Sequence, residues 1–180
     1  MSGPATDAAQ KPPATSVVED FKAAFRRLAS GVCVVTFKRG EDLHGFTATS
    51  VTSISADPPM LLFCVSRRSD SFDSMVPGAR IGVSVLSEEQ RGLSDAFASK
   101  VLPGRYRHIP SSRLGGAPVL RDALARISAV VVQIVPAGDN IVGARTLATS
   151  SISDALKKAC PPQKLTRFRF PESTRWRFGA

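Results

Sequence analysis

Hydroxyl groups and two adjacent arginines carry the chemical signal in this chain of 180 residues. Thr47, Thr49, Ser50, Thr52, Ser53 and Ser55 fall within nine positions, together with Val51 and Ile54. A strand that only filled a core would carry larger apolar groups, because small side chains bury little area. Small hydroxyls instead let a flat or anionic ligand lie close to the backbone and exchange hydrogen bonds with it. Further on, Ser66-Arg67-Arg68-Ser69-Asp70-Ser71 follows an apolar run and offers guanidinium and hydroxyl donors together. A phosphate suits such a loop, since charge-assisted hydrogen bonds are the strong ones. The two stretches point to a planar ligand that bears a phosphate.

Other chemistries find little support. His44 and His108 are the only histidines, and Cys33, Cys64 and Cys160 have no metal-ligand spacing. A histidine-rich metal site is therefore excluded, and no Ser/His/Asp arrangement suggests a hydrolase. The cysteines read as small buried hydrophobes in a reducing compartment. No run of about 18 apolar residues predicts a membrane span. The N-terminus lacks the basic start and apolar run of a signal peptide, so a cytoplasmic protein is expected. The net charge of +9 is concentrated late in the chain, where Lys157 to Arg177 hold seven basic residues against Glu172 alone. Such a segment reads as a nucleic-acid footprint or as a basic edge strand and tail favouring anionic cofactors. It carries no reader motif, so no specific nucleic-acid partner is expected.

The elements that must position these groups are short. Residues 1–15 are rich in Ala, Pro, Ser and Thr and predict a disordered tail ahead of one domain over 16–180. Ser16 and Glu19 have capping-box spacing; Phe21, Phe25 and Leu28 give one apolar helix face, ended by Gly31. Val32–Phe37 predicts a strand, with Lys38–Asp42 turning it into a long strand from His44 to Ala56. Asp57-Pro58-Pro59 stops that strand, because proline cannot donate to a ladder. Met60–Val65 and Ile81–Leu86 predict strands, with a helical turn at Phe72–Met75 between them. Ser87–Gln90 is a second capping box, opening a helix through Phe97. Residues 98–112 form a long loop, of the kind usually functional. Leu124–Val135 reads as a strand buried on both sides, turned by Pro136–Asn140 into Ile141–Ala148. A short helix at Ser153–Lys158 and a last strand at Leu165–Phe170 complete the reading, which is mainly β: a barrel with peripheral helices.

On these residues the chain resembles the short-chain flavin reductases. Gly45-Phe46-Thr47-Ala48-Thr49-Ser50-Val51-Thr52 through Ser71 is similar to their flavin-contacting core. Leu28–Thr36, Ile81–Leu86, Gly116–Leu120 and Ala137-Gly138-Asp139 continue the likeness in order. The resemblance implies an FMN-binding split β-barrel, Greek-key-like, that pairs as a homodimer with flavin near the subunit interface. It implies FMN or FAD as cofactor, NADH or NADPH as hydride donor, and a flavin-dependent monooxygenase as recipient of the reduced flavin. Thr49, Ser50, Val51 and Thr52 would line the isoalloxazine and ribityl chain, with Ser55 and Asp57 where the strand leaves the flavin. Ser66, Arg67, Ser69 and Ser71 match the phosphate-holding positions. Phe97, Arg105 and Tyr106 fall where the family places groups near the nicotinamide or adenine half, although Phe97 also suits a core anchor.

One departure bears on catalysis. The family commonly reads Gly-Asp-His where this chain has Gly138-Asp139-Asn140. Asn140 can hydrogen-bond but carries no charge near neutral pH. Three readings follow: an NAD(P)H-dependent flavin reductase, a flavin-binding barrel whose redox role is altered or lost and which acts on a biosynthetic intermediate, and a non-enzymatic binding module.

Overall fold

The structure, a computed structural model, describes residues 15–99 and 106–152, with side chains described for 16–99 and 106–143. Two units are distinguished, residues 1–30 and 31–180. The first contains helix α1, Thr15–Phe25. Its Phe21 and Phe25 rings lie 4.5 Å apart on an exposed face, and Lys22 pairs with Glu19 at 3.1 Å. The helix ends at Phe25, ahead of the expected stop at Gly31. Beyond it the hydrogen bonds tighten from Arg26 N–H to Lys22 O into Arg27 N–H to Ala24 O and Leu28 N–H to Phe25 O. Frayed last turns commonly tighten in this way.

In the second unit the strands are β1 (Cys33–Arg39), β2 (Asp42–Ala48), β3 (Thr52–Ala56), β4 (Pro59–Ser66), β5 (Arg80–Val85), β6 (Ser111–Leu114), β7 (Ala117–Leu120), β8 (Ala125–Ala137) and β9 (Asn140–Ile152). A capping box of Ser87 and Gln90 precedes helix α2, Arg91–Ala98, as expected from the sequence. Seven strands make one antiparallel sheet in the order β2-β1-β5-β8-β9-β4-β3, and β6 pairs with β7.

That order requires the sheet to curl. β2 and β3 sit at opposite ends of it, yet only residues 49–51 join them. The four steps from Ala48 to Thr52 span roughly 14 Å at full extension, whereas seven flat strands would hold their edges roughly 29 Å apart. A closed, split barrel meets both conditions. The long strand expected from His44 to Ala56 is therefore broken at Thr49–Val51, where the chain leaves β1 and crosses to β4. Ser50 marks the crossing: its Oγ accepts the Cys64 N–H at 3.0 Å.

The barrel interior is filled by Val35, Phe37, Leu61, Phe63, Val65, Ile81, Val83 and Ala129. Phe63 lies opposite Gly143 in the β4/β9 register, and a Cβ on that glycine would sit 3.0 Å from the ring. A second cluster, with Val34, Leu86, Phe97, Tyr106, Ile109 and Leu120, covers the outer face of β1. This explains why β1 is buried on both faces from Cys33 to Phe37. β7 crosses there, stitched by Thr36 Oγ1 donating to Pro118 O at 2.6 Å and by Ser84 Oγ accepting the Leu120 N–H at 3.0 Å. Gly82 is required at this crossing, because any Cβ would collide with Pro118 O.

β8 differs from the strand expected to be buried on both sides. Ala129 and Val131 are buried, but past the register shift between Val131 and Gln133 the strand is largely exposed, including Val132 and Val135. There it runs on with β9 as a hairpin arm. The elements expected at Ser153–Lys158 and Leu165–Phe170, and the tail over 1–15 apart from Thr15, lie outside the described residues.

Candidate functional site

A cavity of about 400 Å³ opens where three pieces of chain meet. β2 contributes Gly45, Phe46 and Thr47; the end of β4 with the following loop contributes Cys64–Ser66 and Arg68–Ser71; the end of α2 contributes Phe97, Ala98 and Ser99. Its size is that of a small-molecule or cofactor site.

Each wall has a local cause. Thr47 Oγ1 donates to Ser94 O at 2.6 Å, which ties α2 to β2 and aims its C-terminal end at the cavity. Gly45 lets the helix approach: a Cβ there would meet Val35 O at 2.5 Å and the Phe97 ring at 3.0 Å. Phe97 is buried and stacks on Tyr106 with centroids 4.3 Å apart, so it is a core anchor that also shapes the cavity wall.

The loop after β4 is a run of turns held by its own serines. Ser66 Oγ accepts the Arg68 N–H and Ser69 Oγ accepts the Ser71 N–H, both at 3.2 Å. The Ser69 N–H donates to Ser66 O at 3.0 Å, and the Phe72 N–H to Ser69 O at 2.9 Å. A hydroxyl that accepts a backbone N–H keeps its own proton to donate. Ser66 and Ser69 therefore offer hydroxyl donors, and Arg68 adds a guanidinium at the same wall. Phe46, Val65 and Phe97 supply apolar surface beside them. The donor set and the apolar wall fit a planar, phosphate-bearing cofactor.

Of the residues singled out by sequence, Ser66, Ser69, Ser71 and Phe97 line this cavity, and Arg67 does not; Arg68 lines it instead. The Arg67 N–H donates to Asp139 O at 3.0 Å, which joins the loop to the β8/β9 turn, and its side chain is exposed. Thr49, Ser50, Val51, Thr52, Ser55 and Asp57 are outside the lining. Thr49, Ser50 and Thr52 are exposed at the barrel's split, and Val51 packs against the interior cluster. Ser55 Oγ accepts the Asp57 N–H at 3.2 Å, an ordinary turn contact. Asn140 sits opposite Ser66 in the β4/β9 register, and its Nδ2 donates to Asp139 Oδ1 at 2.7 Å. Arg105 lies outside the described residues. Gly45, Phe46, Cys64, Val65, Asp70, Ala98 and Ser99 were not anticipated as lining residues, and Thr47 was visible only as one of the hydroxyl set.

Burial pushes the Cys33 thiol up, consistent with an inert core cysteine. Burial first, and the Arg39 charge second, hold His44 below its ordinary value, with Asp42 opposing.

The site is thus a curled, split antiparallel barrel with a loop of hydroxyl and guanidinium donors beside an aromatic wall. Residues 25–160 match the family described as the flavin reductase like domain. The chain is 36% identical over 121 residues to an NADH-dependent flavin reductase of a Rhodococcus species, covering 65% of this chain and 67% of that protein. It is 37% identical over 124 residues to the actinorhodin polyketide dimerase of Streptomyces coelicolor, covering 66% of this chain and 68% of that one. The solved structure of BorF, the flavin reductase component of a bacterial two-component tryptophan halogenase, superposes with a TM-score of 0.69 at 31% identity, over 76% of this chain and 88% of that one. Among the first curated relatives the match spans from 39% to 69% of their length. The chain belongs to the flavin reductase family.

Proposed function

We propose that this protein is an NAD(P)H-dependent flavin reductase that supplies reduced FMN or FAD to a partner monooxygenase. The observation that carries the reading is the loop of Ser66, Arg68, Ser69 and Ser71 set beside Phe46 and Phe97 in one cavity. Its serine hydroxyls and guanidinium bind and orient the phosphate; the aromatic wall excludes water from one side of the ligand. A bound flavin would supply the redox chemistry, accepting hydride from a nicotinamide. The Rhodococcus relative's name supports NADH as donor, and BorF's role as a halogenase component supports a two-component partnership.

The reading includes a homodimer. Its support is the exposed apolar side chains Ile54 on β3 and Val132 and Val135 on β8, with the hydroxyls of Thr49 and Thr52 exposed at the split. A second copy over this region would cover them and bring Thr49–Thr52 to a flavin at the interface. Cytoplasmic residence is part of the same reading, supported by the free thiols of Cys33 and Cys64.

Flavin titration followed by fluorescence quenching tests the site. Arg68→Ala should weaken binding by about 1.5–3 kcal/mol, the worth of a charged hydrogen bond. Arg67→Ala should cost less, because its side chain is outside the cavity lining. Unchanged affinity in Arg68→Ala would remove the phosphate loop from the mechanism.

A second reading, a flavin-binding barrel acting on a biosynthetic intermediate, is favoured by the likeness to the polyketide dimerase. Oxidation of NADH and NADPH with each flavin separates the two, since a chain that oxidises neither fits only the second. Asn140→His sharpens the test. An imidazole one strand from Ser66 would stabilise charge as hydride moves, so stopped-flow reduction should become faster. It should also gain an inflection between about pH 5.5 and 8.5, around the ordinary histidine value. Flavin affinity should stay near that of wild type.

A further inference from the structure

β1 contributes no residue to the cavity lining, yet its last residue reaches the loop that does. Arg39 Nη2 donates to Asp70 O at 2.6 Å and to Ser74 Oγ at 2.9 Å, and Nε reaches the same Ser74 oxygen at 3.3 Å. These contacts span 31 and 35 residues of sequence, and they fall on either side of Ser71, which is buried and lines the cavity. The serine-to-amide bonds within the loop set the shape of each turn. They do not decide where the loop stands against the barrel. The Arg67 N–H to Asp139 O bond anchors its start, and Arg39 anchors its far end.

We propose that Arg39 is a positioning residue for the flavin phosphate: its guanidinium fork holds Asp70 to Ser74 so that Ser69 and Ser71 stay directed at the cavity. The proposal rests on the reading that this loop receives the phosphate. A guanidinium suits the task because its planar donors are pre-organised, so one side chain grips a carbonyl and a hydroxyl together. Charged donors make the stronger bond to a backbone carbonyl. A loop already in its binding geometry does not lose ordering entropy when the ligand arrives, and that difference appears as affinity. Asp70, a cavity-lining residue whose carboxylate has the wrong sign for a phosphate, is gripped through its carbonyl oxygen.

FMN and riboflavin differ by the phosphate, so their affinities in the same protein isolate its contribution. Titrations of both flavins with wild type, Arg39→Ala, Arg39→Lys and Ser74→Ala make the test, with thermal melts showing that each variant is folded. Arg39→Ala should weaken FMN about tenfold, the scale of one charged hydrogen bond, and riboflavin by less than about twofold. The KM for FMN should rise by a similar factor, with kcat moving much less. Arg39→Lys, a point charge without the fork, should recover only part of the loss. Ser74→Ala keeps the charge, removes one anchor and should weaken FMN a few-fold.

An unchanged FMN-to-riboflavin ratio in Arg39→Ala would overturn the proposal and make the contact a surface bond. Equal loss for both flavins would also overturn it, assigning Arg39 to the scaffold. Full recovery in Arg39→Lys with no effect of Ser74→Ala would replace positioning by long-range charge. If wild type binds FMN and riboflavin equally, the phosphate reading itself fails, and this proposal falls with it.

Discussion

The hydroxyl-rich stretch begins at the end of β2 and runs into β3; the two strands are separated by three residues and have opposite surroundings. β2 lies beside β1 with α2 packed over it, and Gly45, Phe46 and Thr47 face a cavity. β3 takes the far edge of the sheet, with Thr52, Ser53 and Ile54 exposed. β2 holds one hydroxyl, Thr47, and β3 holds three, Thr52, Ser53 and Ser55. Their neighbours differ as well: a helix held at 2.6 Å by Thr47 in one case, and solvent at the edge of the single chain in the other. Hydroxyl content marks a stretch that tolerates a ligand, but the packing partner selects the part that forms a wall.

The largest expected effect comes from attacking the β2 side. Gly45→Ala places a Cβ against Val35 O, a backbone atom that cannot rotate away, and against Phe97. Overpacking of this kind costs about 1–3 kcal/mol, read as a lower urea midpoint, with flavin affinity reduced as Phe97 shifts. The matched change on β3, Ser53→Ala, should stay within about 0.5 kcal/mol, as for an exposed position. Equal stability of the two variants would erase the contrast between the strands.

A smaller effect is expected at the crossing between them. Ser50→Ala removes the hydroxyl that accepts the Cys64 N–H where the chain passes from one edge to the other. The loss should be about 1 kcal/mol, the net worth of a hydrogen bond. Amide exchange at Cys64 should accelerate, while a value like wild type would mean that the closure does not depend on this bond.

The smallest effect concerns pH. His44 in β2 is held below its ordinary value of 6.5 by burial and then by Arg39. Between the folded and unfolded values the unfolded chain binds the extra proton, so this contribution to stability is present above 6.5 and is lost as pH falls toward the folded value. His44→Gln should flatten that part of the stability profile. Parallel urea midpoints for wild type and His44→Gln across this range would show that the start of β2 is more solvated than its surroundings suggest.

Much of this arrangement was legible in the residues. The prolines at 58 and 59 place the turn between β3 and β4, and the Ser87/Gln90 pair caps the 3-10 turn Glu88–Gln90 that leads into α2, because both signals act within a few residues. Ser66, Ser69 and Ser71 stood out because a phosphate needs several donors in a short loop. Arg67 and Arg68 could not be told apart in this way. In a turn, neighbouring side chains diverge, and only the folded loop shows Arg68 on the cavity wall and Arg67 off it. The exposure of Val132 and Val135 was hidden as well, since an apolar run has the same appearance in a core strand and in an arm.

By itself the sequence placed β1, β4, β5, β8, β9 and the second helix to within a few residues, and it set serines and arginines together in the loop after β4. It also carries no histidine or cysteine pattern for metal or hydrolytic chemistry. Each of these follows from local preferences and spacing. The tertiary structure alone decided that Gly45 admits Phe97, that the hydroxyl stretch breaks at Ser50, and that Arg39 at the end of β1 grips the loop after β4. Those facts depend on a seven-strand sheet closing on itself, which brings residues more than thirty positions apart within hydrogen-bond distance. Closure is a property of the strand order, and no window of neighbouring residues contains it.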